Sequence, residues 1–231
     1  MRQLIFASLL LVPALAMADE CKFHADRNLD LDLSGVHAVR FVVNSYELHV
    51  DGNAAAGKGT VRGKACASSQ ENLDSLVVTQ QRDGDKLVVE LTSTKRFGFG
   101  SNYTDLKVDA AVPSTIPVIV DVGSGEAKAG RLASLDSSVG SGELEARDIK
   151  GAFTTTVGSG EVKVENSGKV DVSTVGSGSL EATNINGGVS IATVGSGEAR
   201  LRDVTGNVSV GTVGSGEIDV DGVKGDLTVR T

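Results

Sequence analysis

Glutamate recurs at a near-constant interval through the second half of the chain, at Glu126, Glu143, Glu161, Glu198 and Glu217, with Ser179 standing where a sixth would fall. Two residues before each of these positions comes a serine: Ser124, Ser141, Ser159, Ser177, Ser196 and Ser215. Parallel rows of carboxylates and hydroxyls carry the donors and acceptors to hold cations or sugar hydroxyls. Plentiful acids also admit, in principle, the two-carboxylate chemistry of a glycosidase. Solvated carboxylates about 5 Å apart repel by only about 1 kcal/mol, however, so the row needs no ligand to exist. We therefore prefer the reading of an outward acidic corner, since the aspartate-rich glycine turns of calcium-binding solenoids are absent. No histidine or cysteine follows Cys66, which leaves the serines without an obvious base. The glycines beside them lack the lysine of a phosphate loop, and no long loop offers to build a cleft. The expectation is a non-catalytic protein with no cofactor and no metal.

These rows belong to a repeated stretch, Val-Gly-Ser-Gly-Glu, beginning at Val122, Val139, Val157, Val175, Val194 and Val213, at spacings of 17, 18, 18, 19 and 19 residues. A fixed period of this length marks a solenoid. One residue past the glutamate position stand Ala127, Leu144, Val162, Leu180, Ala199 and Ile218; three past it stand Ala129, Ala146, Val164, Ala182, Leu201 and Val220. Between them lie Lys128, Glu145, Lys163, Glu181, Arg200 and Asp219. Apolar and charged residues thus alternate with the period of a half-buried strand. The charged column also alternates in sign from copy to copy, which suits parallel coils stacked in register about 4.8 Å apart.

A second alternating segment follows in each copy, as in Val170 and Val172, Val189 and Ile191, Val208 and Val210, and Leu227 and Val229, after turns marked by Gly168, Gly188, Gly206 and Gly225. Each coil then reads as strand, glycine turn, strand and Gly-Ser-Gly corner. The fold class is all-β: a single-stack parallel β-solenoid of 17–19-residue coils. Glycine at the corners is expected to supply positive φ and close backbone approach. A threonine column, Thr156, Thr174, Thr193, Thr212 and Thr231, reads as a structural ladder in preference to an ice-binding face.

Residues 1–18 have the form of a signal peptide, with Arg2 followed by an apolar core and Ala16-Met17-Ala18, so cleavage is expected between Ala18 and Asp19. Asp19 and Glu20 before Cys21 argue against a lipid-anchored cysteine, and no second apolar stretch is long enough to span a membrane. Without the signal the chain holds 21 basic and 30 acidic residues, a net charge of −9, which disfavours nucleic acid and anionic lipid as partners. Cys21 and Cys66 are the two cysteines, and export makes a disulfide the expected state. Closing that loop would contribute up to about 4 kcal/mol in the chain-entropy treatment. The alternative weighed against it is a metal site of Cys21, His24 and another histidine.

Residues 19–121 read as degenerate coils that cap the stack, and 122–231 as the regular repeats. The stretch from Asn44 to Gly52 aligns without a gap on Gly214 to Gly222, while residues 54–74 look like an insertion tethered through Cys66. Aromatic residues concentrate in this half and are expected to close its end. Arg96, Phe97, Phe99 and Tyr103 lie on a glycine-rich loop, a candidate grip for a sugar or peptide, with packing across the solenoid end the preferred reading. The last copy stops at Thr231 with no closing segment, so the C-terminal coil is a candidate surface for self-association or for a partner strand.

The signal peptide, the early cysteine pair and the run of Gly-Ser-Gly-Glu coils resemble the bacterial putative-adhesin family of β-strand-repeat proteins, a family of unknown function. The resemblance implies an envelope or secreted β-solenoid and carries no catalytic residues with it. The expectation is a periplasmic or secreted binding or adhesion scaffold whose partner is an envelope glycan or protein. The alternatives are a periplasmic partner or sensor module docking through the C-terminal coil, and a carbohydrate-active solenoid using surface acids.

Overall fold

In each repeat the strand that begins at the glutamate position lies parallel to, and in register with, its counterparts in the coils on either side. A computed structural model of the chain describes residues 21–95 and 103–230. One stack of strands runs Glu126↔Glu143↔Glu161↔Ser179↔Glu198↔Glu217. A second runs Leu135↔Phe153↔Val170↔Val189↔Val208↔Leu227. The alternation decides which side chains enter the space between the stacks. Ala127, Leu144, Val162, Leu180 and Ala199 point in from the first, and Leu135, Phe153, Val170, Val189 and Val208 from the second; none is more than 2% exposed. All belong to one continuous hydrophobic cluster. The all-β parallel solenoid expected from the repeats is therefore the fold, and the Lys128–Glu145–Lys163–Glu181–Arg200–Asp219 column is aligned as its signs require.

The Gly-Ser-Gly corners hold for a narrower reason than the one expected. None of their glycines has positive φ; the positive-φ glycines among the described residues are Gly35, Gly57, Gly84 and Gly222. What the corner requires is close approach: a Cβ on Gly142, Gly160, Gly178 or Gly197 would come within 2.0–2.2 Å of a carbonyl oxygen in the preceding coil. Backbone N–H groups of each corner donate to those carbonyls, as in Ser177 N to Gly158 O at 2.9 Å and Ser179 N to Gly160 O at 3.0 Å.

Left-handed backbone occurs instead at the opposite turn. Arg131, Asp148, Asn166, Asn184 and Asp203, each five residues past the ladder position, have φ of 54–57°, and Gly222 continues the column at 70°. Asparagine and aspartate tolerate this region better than other side chains with a Cβ. Asn184→Val should therefore cost about 1–2 kcal/mol in denaturant unfolding, because a β-branched side chain resists this conformation. Asn184→Gly should be close to neutral, and a valine variant as stable as the parent would contradict the turn geometry.

In the N-terminal half the order of coils differs from the order of the chain. Strands Ala38–Asn44 and Glu47–Ala54 form a coil that pairs on one side with Val118–Val122 and Glu126–Gly130. On the other side it pairs with Lys86–Ser93 and Thr104–Pro113, which come later in sequence yet lie farther from the repeats. Glu47 stands opposite Glu126, as the alignment of 44–52 on 214–222 requires, and Asn44 turns the corner at φ 54°.

Antiparallel strands finish this end. Lys58–Ala67 runs against Thr104–Pro113, Phe23–Asp26 and Leu29–Asp32 run against Lys58–Ala67, and Leu76–Asp83 runs against Lys86–Ser93. The segment expected as an insertion thus contains the strand Lys58–Ala67 and the helix Gln70–Ser75, whose N-cap Ser69 accepts from Asn72 N. Arg27 ties the helix to the strands by donating to Leu76 O at 2.6 Å and Leu73 O at 2.8 Å. Among the described residues, Phe41 is a core residue within its coil and Phe23 is 37% exposed, while Leu73 and Leu76 are buried at this end; Phe97 and Phe99, also expected to close it, lie outside the described residues.

Candidate functional site

The Gly-Ser-Gly corners, stacked coil on coil, leave an open furrow of about 1010 Å³ along the solenoid. Its lining includes all six corner serines, the five ladder glutamates and Ser179. Each serine hydroxyl is exposed, because the flanking glycines bring the backbone down and leave the serine as the only side chain at the bend. Ser45, Tyr46, Glu47 and Asp105 extend the furrow into the N-terminal coils. None of these four belongs to the ladders as read from the repeats, although aligning residues 44–52 on 214–222 places Glu47 in the glutamate row. Burial raises the Tyr46 hydroxyl's pKa above the ordinary tyrosine value, against a smaller opposing effect from Ser93.

The glutamates are not a bare row of anions. Lys128 Nζ lies 3.0 Å from Glu126, Lys163 Nζ lies 2.9 Å from Glu161 and 3.2 Å from Glu143, and Arg200 pairs with Glu198. Cations of the alternating column therefore reach sideways to the ladder. The opposite charges expected above and below them, such as Glu145 beside Lys128, are aligned in register but are not their ion-pair partners. Hydrogen bonds to Glu161 and Glu143 hold Lys163 well above the usual lysine value, and the bond to Glu126 raises Lys128. Both stay cationic through neutral pH, so any stability they add is present below the ordinary lysine range and lost only in strong alkali. All these groups are solvated, so the pairs add little stability. Their effect is a furrow edged by fixed positive and negative charges at regular intervals.

On the opposite side of the coils, a groove of about 550 Å³ is lined by residues including Gly52, Ser114, Arg131, Asp148 and Asn166. Arg131 pairs there with Asp51, whose side chain is 14% exposed. On the second stack, Thr156, Thr174, Thr193 and Thr212 are in register as a ladder, while Thr231 is outside the described residues.

Cys21 and Cys66 form the disulfide expected of them, with Cα atoms 5.6 Å apart. It ties the lead-in to strand Phe23–Asp26 onto the cap strand. The histidines divide as their strands dictate: His24 lies beside Cys21, with Nδ1 at 3.3 Å from Sγ, whereas His37 faces Asp85 and His49 faces Asp109. No second histidine joins the cysteines. Of the candidate loop, Tyr103 is partly buried next to the strand Thr104–Pro113; Arg96, Phe97 and Phe99 lie outside the described residues, as does the Ala18–Asp19 cleavage site. Among the described residues no helix is long and apolar enough to cross a membrane.

No protein-family profile and no curated sequence matches the chain. A putative cell adhesion protein from Clostridium sporogenes is 14% identical, with 86% of this chain and 99% of that one covered and a TM-score of 0.43. A putative adhesin from Bacteroides fragilis is 13% identical, with 91% and 98% covered and a TM-score of 0.41. A putative lipid binding protein from Parabacteroides distasonis is 14% identical, with 89% and 97% covered and a TM-score of 0.38.

Proposed function

We propose that the protein is an exported, non-catalytic binding scaffold of the bacterial cell envelope, adhesive in role, whose furrow receives an extended ligand. The observation that carries this reading is the furrow itself: serine hydroxyls, carboxylates and cations recur at the coil spacing along the stack. A polymer with hydroxyl or amide groups at regular intervals meets the same donors and acceptors at every coil, so many weak contacts add. The carboxylates favour binding over catalysis, because Glu126, Glu143, Glu161 and Glu198 are each already bonded to a lysine or arginine. The disulfide agrees with export to an oxidising compartment.

A second reading rests on the strand Leu227–Val229, paired with Val208–Val210 and carrying Leu227 at 51% and Val229 at 48% exposure. In that reading a partner strand or a second copy adds to this coil. Binding of the labelled full chain to purified envelope fractions separates the two. The Glu126→Gln/Glu161→Gln/Glu198→Gln variant should weaken binding at least tenfold, and Leu227→Asp/Val229→Asp should leave it unchanged. The reverse pattern would overturn the furrow in favour of the terminal coil.

A further inference from the structure

The cap brings three soft or borderline ligand atoms together at its outer edge. In the antiparallel pair of Phe23–Asp26 with Lys58–Ala67, His24 stands directly opposite Cys66, so their side chains share one face. Cys21, three residues before His24, joins the same face through its bond to Cys66. The Cys21 and Cys66 sulfurs and a His24 ring nitrogen all lie within 4.8 Å of one another. The cysteines are partly exposed and His24 is exposed, so an ion in solution can reach them.

We propose that this cluster is a redox-gated metal site, which holds one zinc-class ion through the Cys21 and Cys66 thiolates and the His24 imidazole once the disulfide is reduced. Zinc-class ions bind sulfur at about 2.3 Å and imidazole nitrogen at about 2.0–2.1 Å, which places the ligand atoms of one ion roughly 3.5–4 Å apart. The ligand atoms already lie within 4.8 Å of one another, and the paired strands hold the Cys21 and Cys66 Cα atoms 5.6 Å apart with His24 opposite Cys66. In the oxidised state each sulfur is bonded to the other and neither is a thiolate, so the site is closed to metal. A dithiol reductant opens it: two electrons and two protons pass to the S–S bond, which breaks into two thiols, while the dithiol becomes a disulfide. Metal binding then releases the two thiol protons to solvent. Three protein ligands leave the fourth position of a tetrahedral site to water, the arrangement of an open and exchangeable site.

The test uses the whole mature chain, reduced with tris(2-carboxyethyl)phosphine and titrated with Co²⁺ under anaerobic conditions. The expected result is a thiolate-to-cobalt charge-transfer absorption that saturates at one ion per chain and is displaced by Zn²⁺. The oxidised protein should show none. Cys66→Ser should abolish the band, and His24→Ala, at an exposed position where folding is not at stake, should weaken affinity at least tenfold. Far-UV circular dichroism of each sample establishes that the solenoid is intact. A reduced, folded protein without the band would overturn the proposal, as would equal affinity in His24→Ala or equal metal uptake by the oxidised chain.

Discussion

Replacing Gly178 by alanine is expected to cost about 3–5 kcal/mol in denaturant unfolding. The added Cβ would sit 2.0 Å from Gly160 O and 2.8 Å from the carbonyl carbon of Ser159, both backbone atoms of the preceding coil. Reaching ordinary contact requires the corner to move by about an ångström. That displacement breaks the hydrogen bonds from Gly178 N to Gly158 O and from Ser179 N to Gly160 O, each 3.0 Å long. Two lost backbone bonds cost about 1 kcal/mol each, and the overpacked corner adds about 1–3 kcal/mol. Gly130→Ala is the control, because its Cβ would meet nothing nearer than Arg147 O at 3.8 Å, and its effect should stay within about 0.5 kcal/mol. Equal stability of the two variants would mean that the corners are not stacked backbone on backbone.

Val194→Asp should be at least as damaging, at about 4–5 kcal/mol or with loss of folding. Val194 is fully buried, in register with Val175 on one side and Val213 on the other, in a column with no charged partner. A carboxylate there favours its neutral form. The variant's pKa is thus raised above its unfolded value, and the loss is greatest at neutral pH and eases as the medium is acidified. Ser196→Asp, two residues on at the exposed corner, should leave the melting temperature unchanged. A Val194→Asp melting curve that overlays the parent's would show that the valine column faces solvent.

How much of this was visible in the chain depends on how local the signal is. The coil, its inward columns and the register of the repeats are written in period-2 alternation and in the sign of the charged column, both of which repeat often enough to be seen. Strand Lys58–Ala67 escaped because its inward positions include Gly59, Gly63, Ala65 and Ala67, which carry almost no apolar signal. They are small because a neighbour is close: a Cβ on Gly63 would meet Arg27 O at 2.7 Å, and one on Gly59 would meet Leu31 at 3.2 Å. The swapped order of the N-terminal coils was invisible for another reason. Residues 38–54 and 86–113 both read as coils, and only the pairing of Val39 with both Leu87 and Val118 decides which lies between. The left-handed column was present as Asp148, Asn166, Asn184 and Asp203, but it opens on Arg131 and closes on Gly222, so the shared backbone requirement is not written in one residue type. The two ladders were legible, but only as an outward acidic corner; that the stacked corners form an open furrow, and that Asp105 lines it, depends on the fold.

Whether this solenoid is a binding scaffold is decided most directly by equilibrium binding of labelled residues 19–231 to a panel of purified peptidoglycan, envelope glycans, membrane vesicles and whole cells. Saturable binding to a glycan-bearing class is expected, lost in the triple glutamate variant of the furrow. Uniform absence of saturable binding across the panel, by protein whose unfolding is cooperative, would contradict it.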